Sequence, residues 1–204
     1  DDKPIHISAH YNCAMLVTKK GYLYAVGYNG NGQLGLTYGN TYNKFTKVSV
    51  TDVKHASVCE LNSILVKNDG TVYTCGNNQN GQLGLNNTTN KTTFTKVSTD
   101  ANGNTLNGVI QVAATYMAQF ILKSDGTVWS CGYNGYGTLG TGNYNSTQRF
   151  TKMTSNNSNI KKIIANGQYY SNYRAGFLCL KNDGTVWVCG DSGYGQLGIN
   201  SSSS

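Results

Sequence analysis

Three residues near the N-terminus, His6, His10 and Cys13, have side chains of the kinds that bind zinc. A structural zinc site needs four such ligands, which usually come as two closely spaced pairs. The sequence has neither a Cys-x-x-Cys pair nor a second histidine cluster that would complete the set. We therefore interpret these residues as ordinary strand and loop positions and predict no metal site.

Carboxylates are scarce, because the chain has only nine aspartates and glutamates, and Glu60 is the one glutamate among them. A pair of glutamates for acid-base catalysis is thereby excluded. Asp69, Asp125 and Asp183 each precede a glycine between two apolar runs, where a short polar side chain supports a tight turn. No histidine stands in a context that selects a Ser or Cys triad. We predict no catalytic residue and no enzyme activity.

Four glycine-rich segments resemble phosphate-binding loops at first sight. They lack the Gly-Lys-Ser/Thr ending of such loops, and no helical pattern follows to provide a helix N-terminus. A calcium loop beginning at Asp100 is also disfavoured, since Thr105 stands where glycine is needed and Gln111 where the last carboxylate is needed. We predict no cofactor. The segments are residues 27–35, 76–84, 132–140 and 190–198.

Self-similarity organises the whole chain. The glycine-rich segments begin at Gly27, Gly76, Gly132 and Gly190, which are 49, 56 and 58 residues apart. We interpret residues 1–204 as a single repeat array with these segments as its blade cores. The repeated glycines, expected to shape the turns, are Gly27, Gly32, Gly35, Gly76, Gly81, Gly84, Gly132, Gly137, Gly140, Gly190, Gly195 and Gly198.

Each segment follows an apolar run, an Asp-Gly turn and a second apolar run, as in residues 64–75, 120–131 and 178–189. Residues 15–26 form a looser copy with Lys20-Gly21 at the turn. Asp-Gly between two such runs is a strong hairpin signal. A Phe-Thr-Lys strand and another apolar strand follow the first three segments. The pattern predicts an all-β protein, a β-propeller-type array of four blades of about four short antiparallel strands each.

Six cysteines raise the question of disulfide bonds. Cys75, Cys131 and Cys189 occupy the same position in successive repeats, and such positions should lie beyond the bridging limit of roughly 7 Å between α-carbons. Cys179 stands where the other copies have leucine or isoleucine. These four are expected to be small buried hydrophobic residues.

The repeats resemble the regulator-of-chromosome-condensation repeat family. The resemblance is carried by the Asp-Gly-x-Val-Tyr/Trp-x-x-Gly hairpins and by the Gly-x-Asn/Ser-x-x-Gly-Gln/Thr-Leu-Gly segments. It implies a β-propeller, which in this family usually has seven blades. This chain departs from the family in having four repeats, and in two positions. At the position where the family usually has tryptophan, this chain has Val26, Cys75, Cys131 and Cys189. At the position where the family usually has histidine, it has Cys13, Asn62, Ala118 and Gly176.

Four repeats of this kind predict an open, partial propeller. The fourth repeat has no Phe-Thr-Lys strand after residues 198–200. Two explanations are favoured: the chain is a fragment of a longer protein, or copies complete one another. A four-bladed ring that closes on itself is the third alternative. Assembly of copies through exposed edges would give a closed oligomer or a filament, depending on whether the symmetry closes.

The surface is poor in charge, since charged residues make up 12% of the chain and the net charge is +7. The lysines look scattered, with Lys19-Lys20 and Lys161-Lys162 as adjacent pairs, so a nucleic-acid partner is not favoured. No apolar run is long enough to span a membrane. Tyrosines in polar loops suit binding of a glycan or a surface protein. The candidates are Tyr38, Tyr42, Tyr144, Tyr169, Tyr170 and Tyr173.

These observations favour a non-enzymatic structural or adhesive repeat protein that self-assembles through its terminal blades, on or outside the cell or virion. One alternative is a ligand-binding module of a larger propeller protein. A further alternative, implied by the family resemblance, is a propeller for GTPase nucleotide exchange and chromatin binding. The expected location is extracellular or at the cell surface, with the cytoplasm as the alternative.

Overall fold

Four antiparallel sheets account for the regular structure of the computed structural model, which describes residues 2–154, 158–167 and 175–200. Within those ranges the structure has no helix, and hence none with the length and apolarity to cross a membrane. The strands are β1 (Pro4–His10), β2 (Cys13–Thr18), β3 (Leu23–Tyr28) and β4 (Thr41–Lys47); β5 (Val53–Val58), β6 (Asn62–Lys67), β7 (Val72–Gly76) and β8 (Lys91–Val97); β9 (Val109–Ala114), β10 (Ala118–Lys123), β11 (Val128–Gly132) and β12 (Thr147–Lys152); β13 (Ile160–Gly167), β14 (Ala175–Lys181) and β15 (Val186–Gly190).

Each sheet is a meander in which neighbours along the chain are neighbours in the sheet. The first strands of successive sheets, β1, β5, β9 and β13, contact one another and form the inner side of the array. The prediction of an all-β, open propeller of four blades is confirmed. In the described part of the chain the fourth blade has three strands, whereas the other blades have four.

Asp-Gly turns join the second and third strands of the last three blades. In the second blade, the Asp69 Oδ1 atom accepts hydrogen bonds from the Thr71 backbone N–H at 2.9 Å and from its hydroxyl at 2.7 Å. These bonds lower the pKa of the Asp69 carboxyl. Asp125 and Asp183 make the same two bonds to the threonine that follows the glycine. The turn aspartates are therefore structural, as their sequence position predicted.

Apolar side chains fill each of the three spaces between blades. Met15, Leu23 and Leu65 belong to the cluster between blades one and two, and Phe120 and Phe177 to the cluster between blades three and four. The rings of Phe120 and Phe177 stack with 4.4 Å between their centroids. Burial of these faces is the main stabilising contribution in such an array, because each blade alone would expose both of its faces.

Polar side chains of the inner strands fix the blades in register. The Val58 backbone N–H donates to the Ser8 hydroxyl at 3.1 Å, and Ala114 donates to Ser57 in the same way at the next interface. Between blades three and four, the Gln111 side chain makes two bonds to the Ile163 backbone, at 2.9 and 3.0 Å. Each of these bonds satisfies a backbone group that lies at a blade boundary.

Candidate protein-binding surfaces

A buried asparagine organises each of the first three glycine-rich segments. The Asn78 Oδ1 atom accepts from the Leu83 N–H at 2.9 Å, and its Nδ2 atom donates to the carbonyls of Asn87 and Thr89 at 2.9 and 3.1 Å. Asn29 and Asn134 bind their own segments in the same manner.

In the fourth blade Ser192 takes the place of this asparagine. All twelve repeated glycines have positive φ, as their turn role predicts: Gly27, Gly32, Gly35, Gly76, Gly81, Gly84, Gly132, Gly137, Gly140, Gly190, Gly195 and Gly198.

The last two glycines of a segment are contact points for the outer strand of the next blade. A Cβ atom on Gly84 would lie 2.6 Å from the Phe150 ring, and one on Gly81 would lie 2.8 Å from the Gln148 α-carbon. Phe94 lies over Gly35 at the preceding interface in the same way. Glycine is required at these positions because β8 and β12 approach the turn so closely.

The cysteines that replace the family's tryptophan bridge the same interfaces. The Cys131 thiol lies 3.3 Å from the Gln82 carbonyl of the preceding blade, and Cys75 and Cys189 make the equivalent contacts. All six cysteines are free in the structure, and five are buried. Burial raises the pKa of the Cys189 thiol to about 12, and it raises those of Cys75 and Cys131 as well.

The array leaves an apolar surface uncovered at its first blade. We call this surface the first-blade face, and it consists of Ile7, Leu16, Tyr24 and Phe45. In the inner blades the equivalent residues pack against the preceding blade; Leu65 and Ile121, which correspond to Leu16, are fully buried. Ile7 is 63% exposed and Phe45 is 45% exposed.

The other end of the array has a matching surface, which we call the fourth-blade face. It consists of Ile164, Leu178, Leu180, Val186 and Val188. The residues of the third blade that correspond to Leu178, Leu180 and Val186 are Phe120, Leu122 and Val128, and these are buried against the fourth blade. Val186, by contrast, is 60% exposed.

The predicted tyrosines do not form one cluster in the described residues. Tyr38 and Tyr144 lie in the loops of different blades and are both exposed. Tyr42 lies in β4 and packs against the cluster between blades one and two. Tyr169, Tyr170 and Tyr173 lie outside the described residues. Ligand binding by these tyrosines stays a prediction.

The histidines contact neighbouring strands. The His6 Nε2 atom lies 2.7 Å from the Ala56 carbonyl, and its ring lies 3.8 Å from that of His55. Burial, with the positive charge of its neighbours, lowers the pKa of His55 to about 3. His10 instead lies beside Cys59, with 3.7 Å between Nδ1 and Sγ. Among the described residues no group of three or more His, Cys, Asp or Glu side chains has the arrangement of a metal site.

Charge is distributed unevenly along the strands, which sequence spacing did not indicate. The strand pairings bring most lysines to the end of the sheets where the Asp-Gly turns lie. Fewer carboxylates share this end, so it is basic, and a partner bound there by charge would be acidic and salt-sensitive. The lysines at this end are Lys3, Lys19, Lys20, Lys47, Lys54, Lys67, Lys96, Lys123, Lys152, Lys161, Lys162 and Lys181.

Comparison with known proteins places these repeats in a family. The family model for the regulator of chromosome condensation (RCC1) repeat matches residues 69–118 and 125–171. Each matched stretch begins at an Asp-Gly turn and runs through the outer half of one blade into the inner strand of the next. These two stretches match the RCC1 repeat. Each matched stretch thus contributes strands to two successive blades.

Two solved propellers share the fold of these RCC1 repeats. Human WBSCR16 has 20% sequence identity and a TM-score of 0.77, and the match covers 94% of this chain and 48% of that one. Prp20p from Saccharomyces cerevisiae, studied for its binding to Gsp1p and histones, has 16% identity and a TM-score of 0.79, with 98% and 48% covered.

A curated relative is the X-linked retinitis pigmentosa GTPase regulator homolog of Caenorhabditis elegans, 29% identical over 90 residues. That match covers 44% of this chain and 6% of the relative. The chain thus spans less than half the length of each of these proteins.

Proposed function

We propose that this chain is a non-enzymatic protein-binding unit that assembles head-to-tail with a second copy of itself through its terminal blades. The observation that carries the proposal is that the two ends of the array present the two halves of an interface that occurs three times inside it. The fourth-blade face corresponds to the surface that each inner blade offers to the blade after it. The first-blade face corresponds to the surface that receives it.

The contact between outer strand and glycine supports the same pairing. Phe45 of β4 corresponds to Phe94 and Phe150, which cover Gly35 and Gly84. Gly198 is the equivalent glycine of the fourth blade, and a Cβ atom placed on it would meet nothing within 4 Å. The Phe45 ring of one copy can therefore cover Gly198 of another copy, as Phe94 covers Gly35 within the chain.

Head-to-tail contact through these two faces is compatible with a closed ring of two copies or with a filament. Two head-to-tail contacts related by a two-fold axis would close such a ring, whereas a different rotation would give a filament.

The test compares Ile7→Asp on the first-blade face with Val186→Asp on the fourth-blade face, using light scattering and sedimentation across a range of concentrations. A charge placed in an apolar interface is costly, so each variant alone is expected to be monomeric where the native chain associates. Mixing the two variants leaves one intact pair of faces and should restore a species of twice the monomer mass. Ile110→Asp, which changes an exposed isoleucine of the third blade, is the matched control and should associate like the native chain.

Two outcomes would overturn the proposal. One is a native chain that stays monomeric up to high concentration. The other is a mixture of Ile7→Asp and Val186→Asp that behaves no differently from each variant alone, since only the head-to-tail arrangement predicts complementation.

Regulation of a GTPase is the second candidate, and the names of the relatives favour it. One relative is named as a GTPase regulator homolog, and Prp20p was studied for binding to Gsp1p and histones. If this chain shares such a role, adding it to a small GTPase loaded with labelled nucleotide should accelerate nucleotide release. An unchanged release rate would remove the candidate. A location outside the cell and glycan binding by the loop tyrosines remain predictions based on composition.

A further inference from the structure

The end of the sheets that carries the Asp-Gly turns is rich in lysine in blades two and three, which have a neighbour on both sides. We call this surface of the two blades the lysine end. Its lysines come from inner, middle and outer strands, because antiparallel pairing places the first residues of one strand beside the last residues of the next. They are Lys54, Lys67, Lys96, Lys123 and Lys152.

An aromatic ring positions two of these lysines in the second blade. The Lys67 Nζ atom lies 4.9 Å from the centroid of the Tyr73 ring, within the range of a cation–π contact. Lys96 of β8 lies opposite Tyr73 in the sheet. The ring therefore has a lysine on each of the two strands beside it, and the contact restricts the freedom that the Lys67 side chain would lose when a partner binds.

The third blade repeats this arrangement around a tryptophan. The Lys123 Nζ atom lies 5.3 Å from the centroid of the Trp129 ring, and Lys152 of β12 lies opposite Trp129. The tryptophan is only 8% exposed, so its ring is not available to stack on a nucleobase. The surface thus offers ammonium groups to a partner rather than aromatic faces.

Carboxylates lie between the lysines. Hydrogen bonds from Thr71 lower the pKa of the Asp69 carboxyl, and the charges of Lys67 and Lys96 lower that pKa further. Asp125 has the same relation to the two lysines of the third blade. A partner with dense, evenly spaced negative charge, such as duplex DNA, would bring part of its charge against these carboxylates. A chain whose carboxylates are separated by uncharged residues avoids that repulsion.

Positive charge continues from the lysine end onto the inner strands. Burial lowers the pKa of the His55 ring to about 3. Positive charges at His6, Lys162 and Lys54 lower the pKa of His55 further. These three residues belong to blades one, four and two, so the positive potential extends across the inner strands of several blades.

We propose that the lysine end binds an extended acidic segment of a partner protein, in which aspartate or glutamate residues are separated by uncharged residues. Charge complementarity defines this occupant, since lysines outnumber carboxylates at this end of the sheets. Packed sheets lie about 10 Å apart and an extended chain advances about 3.3 Å per residue, so a carboxylate at every third residue suits the lysines of successive blades. Because the lysines are at the surface, the affinity depends on salt.

The probe is a fluorescein-labelled peptide made of five copies of Asp-Gly-Ser, and the control peptide has asparagine in place of each aspartate. Fluorescence anisotropy at low salt is expected to show saturable binding of the acidic peptide alone. Raising the ionic strength from about 0.01 M to about 0.15 M should weaken binding at least about tenfold, because the Debye length shortens from about 30 Å to about 8 Å. Unlabelled duplex DNA, added at equal concentration of negative charge, should displace the probe less well than the unlabelled peptide does.

Protein variants locate the bound peptide. Lys96→Glu reverses a charge at the lysine end, whereas Lys91→Glu makes the same change at the other end of β8, where Lys91 lies opposite Gly76. Lys96→Glu combined with Lys152→Glu should weaken binding about tenfold, and Lys91→Glu should leave it within about twofold of the native value. The corresponding pair of glutamine substitutions removes charge without adding repulsion and should weaken binding less. The urea midpoint of each variant verifies that the fold is retained.

Absence of saturable binding at low salt, equal binding of the asparagine peptide, or an affinity that does not change with salt would each overturn the proposal. Equal weakening by Lys91→Glu and Lys96→Glu would also overturn it. Stronger displacement by duplex DNA than by the peptide would assign the surface to a nucleic acid instead of a protein. The proposal does not depend on head-to-tail assembly, since Ile7→Asp should bind the peptide as the native chain does.

Discussion

The interface between blades two and three and the interface between blades three and four have the same inner layer but a different outer layer. In both, apolar side chains of the inner strands interdigitate, and a cysteine thiol contacts the carbonyl of the preceding blade. In the first, Phe150 seals the outer side against Gly84. In the second, the described residues include no outer strand; the Met153 side chain lies over Gly140, and a cavity lined by both residues lies beside it.

The difference separates two contributions to the stability of a blade. The inner strands and their hairpin are sufficient to shape the fourth blade, since its turn makes the same bonds at Asp183 as the complete blades make at Asp69 and Asp125. The outer strand adds the seal that buries the tryptophan and excludes water from the interface. We therefore expect the fourth blade to be the least stable part of the array, because it has one covered face, as the first blade does, and in addition only three strands within the described residues.

The largest expected effect comes from removing the seal at the complete interface. Phe150→Ala should lower the free energy of unfolding by about 3–5 kcal/mol, because it deletes a fully buried aromatic side chain and leaves a cavity. Phe45→Ala changes the equivalent residue where no preceding blade covers it, and in the monomer it should cost less than about 1 kcal/mol. Urea denaturation at a concentration where the chain is monomeric measures both. Equal costs would show that the outer strand stabilises by something other than burial of its phenylalanine.

A smaller effect is expected from the asparagine that organises the glycine-rich segment. Asn78→Ala leaves the backbone groups of Leu83, Asn87 and Thr89 without their partner, and unpaired buried groups cost roughly 1–3 kcal/mol. Ser192→Ala makes the equivalent change in the fourth blade and should cost less, because a hydroxyl makes fewer bonds than an amide. Hydrogen exchange of the backbone amides in the two glycine-rich segments distinguishes the Asn78→Ala variant from the Ser192→Ala variant. Loss of protection confined to residues 76–90 in Asn78→Ala is the expected result, and unchanged protection would contradict it.

The smallest expected effect is the pH dependence of the stability that a turn aspartate contributes. Hydrogen bonds from Thr127 hold the pKa of Asp125 below its ordinary value of about 4. A carboxyl whose pKa is lower in the folded chain stabilises the fold above its unfolded pKa, and this contribution is lost as the pH falls through the folded pKa.

Asp125→Ala should therefore reduce the urea midpoint slightly at pH 7, and the difference from the native chain should shrink as the pH falls below the ordinary aspartate pKa of about 4 and through the lowered pKa of the folded chain. Asp183→Ala should behave alike, since its turn is the same. A difference that persists unchanged in strong acid would mean that the carboxylate charge has no part in the turn.

Much of the fold follows from short stretches of sequence. Asp-Gly between apolar runs predicted the hairpins, and the recurrence of Gly27 at Gly76, Gly132 and Gly190 predicted the number of blades. The structural role of the turn aspartates was also predicted correctly, as was the burial of Cys75, Cys131 and Cys179, whereas Cys189 is only partly buried. These features depend on residues close together in the chain, where turn chemistry and the alternation of strands leave few conformations.

For the candidate binding surfaces, the sequence predicted exposed terminal blades, and ligand binding by the loop tyrosines stays a prediction. Sequence reasoning placed ligand binding in the loop tyrosines, which the described part of the structure does not bring together. The contact of Phe150 with Gly84 was not predicted, because it joins residues far apart in the chain. The repeat of that contact at Gly35 could have been sought by aligning the outer strands with the glycines of the preceding blade.

The sequence by itself determined the repeat, the strand order within each blade and the positions where only glycine fits. The tertiary structure decided which surfaces are covered. It brings widely spaced lysines to one end of the sheets, because antiparallel strands place the start of one beside the end of the next. Within the described residues it also leaves the first-blade face and the fourth-blade face exposed. Burial depends on which blade lies alongside, whereas a local sequence pattern is the same whether or not a neighbour is present.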